Sequence, residues 1–303
     1  MCVPARTILC AALAVIACAG PAVAQRLPAD YQDALAYLGR QGDYKADVFK
    51  VNIPRGDLAV TVAGVNTPTP FGFGGWVAMT KGDGGMDVMM GDLVLTQDEV
   101  NPVMSALLER GLDVTALHNH FFWDEPRIFY MHVHGRGTPF DLAHRLKPAL
   151  DLIGRGSARP APAAASRPAS PPLDADALAK TVGHEGERSG DVYKITIGRP
   201  DIALVEHGAP ITARMGLNTW AAFYGSAANA VIAGDIAMLS GEVTPVLKAL
   251  RAHGLDVVAI HHHMTGTDPV VIFLHYWGKG RAEDLAAGFK AALDETGKGP
   301  RMH

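Results

Sequence analysis

The stretch GDLVLTQDEVNPVMSALLERGLDVTALHNH (91–120) occurs a second time, in closely similar form, as GDIAMLSGEVTPVLKALRAHGLDVVAIHHH (234–263). The match continues downstream at the same sequence offset. Upstream, DVFKVNIPR (47–55) matches DVYKITIGR (191–199) with the offset changed by one. This period is far longer than that of solenoid repeats, so the chain contains a duplicated domain. The fold is therefore decided by one unit that is used twice.

The boundary between the two units is marked by a segment rich in Pro, Ala and Ser. This segment, placed at 155–173, has a composition that cannot build a hydrophobic core. Its position predicts repeat 1 at 30–154 and repeat 2 at 174–298. With 303 residues, of which 48% are hydrophobic, the chain is long and apolar enough for two folded domains. A net charge of −4 gives no indication of a nucleic-acid partner.

Each unit has the pattern of an α+β domain. Strand-like segments such as DVFKVNI (47–53) come first, and a helix, two paired strands and a closing helix follow. The first helix is predicted to begin at a capping box formed by Thr96 and Glu99, and to end at Gly111. We therefore expect two homologous repeats, each with a mostly antiparallel sheet and two helices, the last part resembling a split βαβ unit. Duplication of a self-pairing unit predicts pseudo-two-fold packing.

Two pairs of histidines lie in the segment HNHFFWDEPRIFYMHVH (118–134). The members of each pair are separated by one residue, so they share one face of an extended strand. A turn is predicted between the pairs at 124–126. In an antiparallel hairpin, position 118 is expected to face 134 and position 120 to face 132, which places all four imidazoles on one face. The four histidines are His118, His120, His132 and His134.

Imidazoles and a carboxylate on one face are the groups that bind transition metals. One such histidine would be explained by ordinary hydrogen bonding, but eight of the thirteen histidines lie in the matching windows 116–137 and 259–280. We therefore expect a divalent-metal site in repeat 1, and the spacing leaves Zn, Mn, Fe and Cu open. The predicted ligands are His118, His120, Glu125 and His132, with His261, His263, Asp268 and His275 as their equivalents in repeat 2.

Three residues of repeat 1 are candidates for catalysis, should the protein be an enzyme. Glu125 or His134 would transfer a proton, and Arg127 would bind an anionic group of the substrate. The metal would activate water or polarise a substrate oxygen. Two alternatives remain open: a non-catalytic envelope module that binds a ligand, and a cupin-like metal-dependent enzyme. The partner in each case would be an unknown small ligand or a component of the cell envelope.

The segment 1–24 is predicted to be a signal peptide. Arg6 gives the positive start, positions 7–17 form an apolar run too short to span a bilayer, and AVA at 22–24 is a cleavage site. We expect an exported protein, periplasmic or secreted, with no transmembrane helix in the mature chain. The sequence VIAC at 15–18 resembles a lipobox, so lipid anchoring at Cys18 is the alternative. All three cysteines lie in this segment, which excludes disulfides and cysteine ligands from the mature chain.

The motif HNHFFWDEP (118–126), preceded by TQDEVNPVMSALLERGLDVTALHNH (96–120), resembles the LppY/LpqO type of bacterial envelope proteins. The resemblance covers both repeats. It implies a cell-envelope location and a duplicated domain of unknown function, without an established activity. The family includes lipoproteins, and its pattern has Trp at the position of His134. Repeat 1 departs from that pattern, whereas Trp277 in repeat 2 agrees with it.

Overall fold

A computed structural model describes residues 26–155 and 171–298 of the chain. The predicted signal peptide, Cys18 and most of the predicted linker lie outside the described residues. Within the described ranges, each repeat contains three α-helices and one six-stranded sheet whose neighbouring strands are all antiparallel. The predicted α+β class with two homologous repeats is confirmed, and each repeat has one helix more than the sequence analysis expected.

Repeat 1 forms a main sheet with the strand order β1-β2-β5-β6-β9-β7, while the short strands β4, β3 and β8 form a separate small sheet. The elements of this repeat are α1 (Ala29–Leu38), β1 (Gln41–Lys45), β2 (Val48–Pro54), β3 (Val60–Val62), β4 (Val65–Thr67), β5 (Gly74–Lys81), β6 (Asp87–Thr96), α2 (Gln97–Glu109), β7 (Asp113–His118), β8 (Asp124–Glu125), β9 (Ile128–Gly137) and α3 (Pro139–Leu150).

Repeat 2 has the same topology, with the strand order β10-β11-β14-β15-β17-β16 in its main sheet. Strands β12 and β13 form a separate pair. The elements of this repeat are α4 (Ala175–Val182), β10 (Gly186–Ser189), β11 (Val192–Gly198), β12 (Val205–Glu206), β13 (Ala209–Pro210), β14 (Asn218–Gly225), β15 (Ala230–Leu239), α5 (Val243–Ala252), β16 (Asp256–His261), β17 (Val271–Gly280) and α6 (Ala282–Leu293).

The start of α2 agrees with its sequence signature. The side chain of Glu99 accepts a hydrogen bond from the backbone N–H of Thr96 at 2.8 Å, which completes the capping box. The helix ends at Glu109, and Gly111 takes a positive φ of 69° just beyond it, a conformation that glycine adopts without strain. The helix buries Val103 and Leu107 against the sheet, so the periodic apolar face fixes how it packs.

The two main sheets pack face to face, and the helices cover their outer faces. In β2, Phe49 and Val51 belong to the core beneath the helices, whereas Val48, on the opposite face, packs against residues of repeat 2. Two apolar clusters between the sheets contain residues of both repeats. Val48 lies in one cluster and its equivalent Val192 lies in the other. A pseudo-two-fold axis between the repeats requires equivalent residues to lie in opposite clusters in this way.

The four-layer arrangement of helices, two open sheets and helices differs from the double-sheet jelly roll of cupins. The fold therefore gives no support to the cupin-like alternative. Within residues 26–155 and 171–298, none of the helices combines the length and the apolar character needed to cross a membrane.

Candidate metal centre between the two repeats

A row of directly opposed side chains crosses each main sheet. Its members lie on the sheet faces that meet between the repeats, so the two rows bring polar groups from both halves of the chain together. The row of repeat 1 consists of Asn52, Trp76, Asp92 and His132. The row of repeat 2 consists of Thr196, Trp220, Asp235 and His275.

The hairpin that carries the repeat 1 histidines differs in register from the expectation. His118 faces Tyr130 across the β7–β9 pair, so the predicted pairing of 118 with 134 is wrong. The cause is local: the segment between the strands is not a simple turn, because Glu125 pairs with Thr61 of β3, and the β7–β9 pairing shifts between Val114 and Ala116. From Ala116 to His118 the facing positions have an even sum, so His118 and His132 still share a face.

Six histidines, three from each repeat, form one cluster where the sheets meet. All of them except the partly buried His261 are buried. Three stacked contacts join the repeats, with ring centroids 3.8 Å apart for His118 and His261, 3.6 Å for His120 and His275, and 4.0 Å for His132 and His263. The second and third contacts are equivalent under the repeat offset. The cluster is therefore pseudo-symmetric, and neither repeat forms it alone.

Ligand atoms within 4.8 Å of one another occur in three groups of residues that could hold a metal ion. Two groups consist only of histidines and mix residues of the two repeats. The third includes a carboxylate and lies within repeat 2. The groups are His118, His120 and His275; His118, His132 and His261; and Asp235, His261 and His263.

The carboxylates predicted as ligands do not join these groups. Glu125 and Asp268 are both exposed, and neither belongs to any group found in the described part of the chain. Neighbouring strand residues point to opposite sides, and here Asp124 takes the buried side, where its Oδ2 accepts a hydrogen bond from the N–H of Ile128 at 2.6 Å. Glu125 is therefore directed outward.

Asp235 supplies the acidic group of the centre, with Asp92 at the equivalent position of repeat 1, and the sequence analysis missed both. Oδ2 of Asp235 lies 3.3 Å from Nε2 of His263 and 4.0 Å from Nε2 of His275. Burial raises the pKa of Asp235, and burial together with the charge of Asp235 raises the pKa of Asp92 well above its usual range. A signal was present, because both copies place an aspartate within an apolar strand, in GDLVL and GDIAM.

Burial keeps the imidazoles neutral. It lowers the pKa of His261 to about 4 and that of His275 to about 3, against an ordinary value of 6.5. The pKa values of the other four rings fall well below the ordinary value, because burial and the neighbouring imidazoles both disfavour a positive charge. Neutral imidazoles carry the free lone pair that a metal ligand needs. These four rings belong to His118, His120, His132 and His263.

One hydrogen bond fixes which nitrogen of His275 faces the cluster. Nδ1 lies 3.0 Å from the carbonyl oxygen of Gly234, which only accepts, so Nδ1–H is the donor and Nε2 carries the lone pair. Nε2 of His275 in turn lies 3.2 Å from Nε2 of His118. Two nitrogens on one tetrahedral zinc ion are about 3.4 Å apart. The observed spacing is therefore close to what a shared ion requires.

Several ring nitrogens of the cluster lack a hydrogen-bond partner among the described residues. They are both nitrogens of His120 and His261, Nδ1 of His118 and His263, and Nε2 of His132. A buried polar atom without a partner costs about 1–3 kcal/mol, so a fold that keeps several of them together calls for a ligand. A metal ion would satisfy these lone pairs.

The three residues considered for catalysis are placed very differently. His134 is buried, with Nε2 2.9 Å from the backbone oxygen of His263 and Nδ1 3.5 Å from Oε1 of Glu206. The ring of His134 is therefore hydrogen-bonded to the backbone of His263, a residue of the cluster. Glu125 and Arg127 are exposed.

A cavity of about 620 Å³ opens beside the histidine cluster. His120, His263, Asp92 and Asp235 form part of its wall, so an ion bound at the cluster would be reachable from it. Its wall also includes Trp76, Trp220, Lys50 and Lys194. The paired tryptophans, which the sequence suggests are core residues, are only partly buried here.

Comparison with solved structures gives weak matches to bacterial microcompartment shell proteins. A fused permuted hexameric shell protein of the RMM microcompartment is 16% identical, with 70% of this chain and 85% of that chain covered and a TM-score of 0.17. The trimeric shell protein PduB is 14% identical, with coverages of 82% and 88% and a TM-score of 0.20. EtuB from Clostridium kluyveri is 11% identical, with coverages of 84% and 90% and a TM-score of 0.20. Scores this low do not establish a shared fold.

No curated protein matches the chain. A family model matches it twice, over residues 33–152 and 176–295, and thus covers both repeats. The two matches are what the duplicated sequence and the repeated topology require. The chain belongs to the family DUF1529, described as Domain of Unknown Function (DUF1259), and contains two copies of that domain.

Proposed function

We propose that the protein binds a divalent transition-metal ion at the interface between its repeats, through the histidine cluster and Asp235. The observation that carries this proposal is the convergence of neutral, buried imidazoles whose ring nitrogens have no hydrogen-bond partner among the described residues. Histidine nitrogens with one carboxylate suit Zn, Mn, Fe or Cu. The candidate ligands in repeat 1 are His118, His120 and His132, as the sequence predicts, and those in repeat 2 are His261, His263 and His275.

The proposed location is the cell envelope. The predicted signal peptide at 1–24 and the resemblance to LppY/LpqO-type proteins support an exported protein, periplasmic or secreted, with lipid anchoring at Cys18 as the alternative. Export also suits the ligand set, because a mature chain without cysteine binds metal through nitrogen and oxygen alone.

The proposal is tested by measuring metal content. The purified protein is dialysed against buffer with Zn, Mn, Fe or Cu supplied, and bound metal is determined by mass spectrometry. We expect a stoichiometry of one or two ions per chain in the wild type and its loss in His118→Ala/His261→Ala, because each of the three ligand groups contains His118 or His261. Circular dichroism verifies that the variant is folded.

The chain provides a matched control. His262 lies between the cluster residues His261 and His263, directly after the end of β16, and is exposed. His262→Ala should keep the wild-type metal content. Equal metal content in folded His118→Ala/His261→Ala and His262→Ala would contradict the proposal, as would a metal-free wild type after exposure to all four metals.

A further inference from the structure

The cavity beside the cluster contains a repeated pair of residues that the metal centre does not use. Nζ of Lys50 lies 4.1 Å from the ring centre of Trp76, and Nζ of Lys194 lies 4.0 Å from that of Trp220. The two pairs are equivalent under the upstream repeat offset. The aromatic faces stabilise the ammonium groups in place. Two positioned cations therefore belong to one cavity.

Neither ammonium group has a hydrogen bond or an ion pair with another described residue. Burial lowers the pKa of each lysine to about 8, with Arg214 and Lys194 adding to the effect at Lys50. Both side chains are partly withdrawn from water, which makes a charge without a direct partner costly. The carboxylates that attract them, Asp92 and Asp235 at Lys194 and Asp43 and Asp92 at Lys50, act without a hydrogen bond, so the ammonium groups keep their donors for a ligand.

The charged groups of the cavity wall are balanced in number before any ion is bound. The acidic groups of its wall are Asp92, Asp235 and Glu187, against the basic groups Lys50, Lys194 and Arg214. Arg214 also has a partner outside the wall, Asp43. A divalent ion at the centre would add two positive charges, which an anion from solution would offset.

The shape of the cavity suits a small organic molecule. Its volume of about 620 Å³ lies within the usual range of ligand pockets. Asn52 and Thr196 on its wall are exposed, whereas His120 and His263 are buried. The cavity therefore leads from solvent to the histidine cluster.

We propose that this cavity binds a small organic oxyanion, a carboxylate or a phosphate ester, whose charged group is held by Lys50 and Lys194 beside the histidine cluster. The oxyanion site stands on the paired lysines and the cavity. The oxyanion site does not require a bound metal ion; only a direct contact between the oxyanion and a metal ion would rest on the proposed metal function. An ammonium binds an oxyanion by charge-assisted hydrogen bonds, which are about twice as strong as neutral ones.

Isothermal titration calorimetry with matched probes tests the proposal on the full protein, both metal-loaded and treated with a chelator. Phenyl phosphate and benzoate are the charged probes, and phenol and benzyl alcohol are their neutral counterparts. We expect the charged probes to bind at least about tenfold more tightly than the neutral ones. The variant Lys50→Gln/Lys194→Gln should lose at least about tenfold in affinity for the charged probes.

Two variants separate charge from structure. Lys50→Arg/Lys194→Arg keeps both positive charges and should keep most of the affinity. Lys279→Gln removes an exposed lysine of β17 and should bind as the wild type does. Equal affinity for charged and neutral probes would overturn the proposal, and so would unchanged affinity in a folded Lys50→Gln/Lys194→Gln variant.

Metal content measured on the same samples distinguishes the two proposals. Lysine-dependent binding of phenyl phosphate or benzoate to a protein that takes up no metal would support the oxyanion site while removing the metal function. A protein that holds metal but binds neither charged probe would overturn the oxyanion site and leave the metal function standing.

Discussion

The imidazole rings of His118 and His261 are stacked across the interface between the repeats, with 3.8 Å between their centroids and 21° between their planes. The two histidines occupy equivalent positions in the two repeats, so the pseudo-two-fold axis passes between them. His118 shares one ligand group with His275 and another with His261, both of repeat 2. A substitution in one repeat therefore alters a centre that both repeats build.

Metal binding should stabilise the fold, because two of the three ligand groups form only when the two sheets pack together. A free-metal concentration 100 times the dissociation constant would raise the free energy of unfolding by about 2.7 kcal/mol. We expect added Zn to raise the thermal midpoint of the wild type and a chelator to reverse the rise. His118→Asn/His261→Asn should abolish the rise, because each ligand group contains one of these histidines, and His262→Asn should keep it. The same rise in both variants would count against a centre at this cluster.

His134 is expected to tune the centre without binding the ion. Its Nε2–H donates to the backbone oxygen of His263, which also accepts a hydrogen bond from Oγ1 of Thr115 at 2.6 Å. Loss of such a supporting contact usually weakens metal affinity about 10–100-fold. His134→Ala should show this loss in a competitive titration with a metal indicator, while binding the same number of ions. His134→Gln keeps a donor and should recover part of the affinity. An unchanged affinity in a folded His134→Ala would show that the contact is purely structural.

The repeat and the alternation of residues predicted much of this architecture. The long sequence period predicted two domains, and the capping box at Thr96 and Glu99 placed the start of a helix that the structure confirms. Alternation along a strand predicted that His118 and His132 share a face, and the structure brings their rings within 5.1 Å. These features depend on neighbours along the chain or on one sheet, which is why local pattern suffices for them.

The joint character of the centre did not follow from local pattern. His118 meets His261 only because two sheets pack face to face, and no spacing within one repeat encodes that contact. Proximity in sequence assigns the acid to Glu125, whereas Asp235, which belongs to a ligand group, lies opposite His275 on the neighbouring strand. The position of Lys50 likewise depends on a cavity formed between the sheets, which local sequence pattern does not encode.

The metal-free protein should lose stability on mild acidification. Because burial lowers the pKa of cluster histidines in the folded state, the unfolded chain binds more protons below pH 6.5, and stability falls as pH falls. Stability is lost over the pH range from about 6.5, the ordinary pKa of histidine, down to the folded-state pKa values of about 4 for His261 and about 3 for His275. At pH 5, each such histidine lowers the free energy of unfolding by roughly 2 kcal/mol relative to neutral pH. The combined effect of several neighbouring histidines is smaller than the sum of their single effects.

Urea unfolding of the chelator-treated protein at pH 7.5 and pH 5.0 measures this effect. His275→Phe removes one titrating ring and should reduce the difference in stability between the two pH values. His144→Phe, at an exposed position of α3, should leave that difference unchanged. A protein equally stable at both pH values would show that the rings titrate near their ordinary pKa.

The last prediction concerns a buried ion pair that occurs in both repeats. Arg55 donates from Nη1 to Oε2 of Glu99 at 2.6 Å and to the backbone oxygen of Val94 at 2.7 Å. Glu99 also accepts from the N–H of Gly154 at 2.7 Å, so the pair ties the end of β2, the start of α2 and the end of the repeat together. In repeat 2, Arg199 and Glu242 are equivalently placed, with Nη1 and Oε2 2.9 Å apart.

Removing one partner leaves the other charge buried, which typically costs about 3–5 kcal/mol. We therefore expect Arg55→Met to lower the free energy of unfolding by about 3–5 kcal/mol in urea titrations, and Arg199→Met to do the same within the other repeat. Lys147→Ala breaks the pair with Asp151, whose side chains are 31% and 40% exposed, and should cost at most about 1 kcal/mol. If Arg55→Met cost no more than Lys147→Ala, the buried pair would not hold the repeat together, and the cores beneath the helices alone would fix the packing of α2.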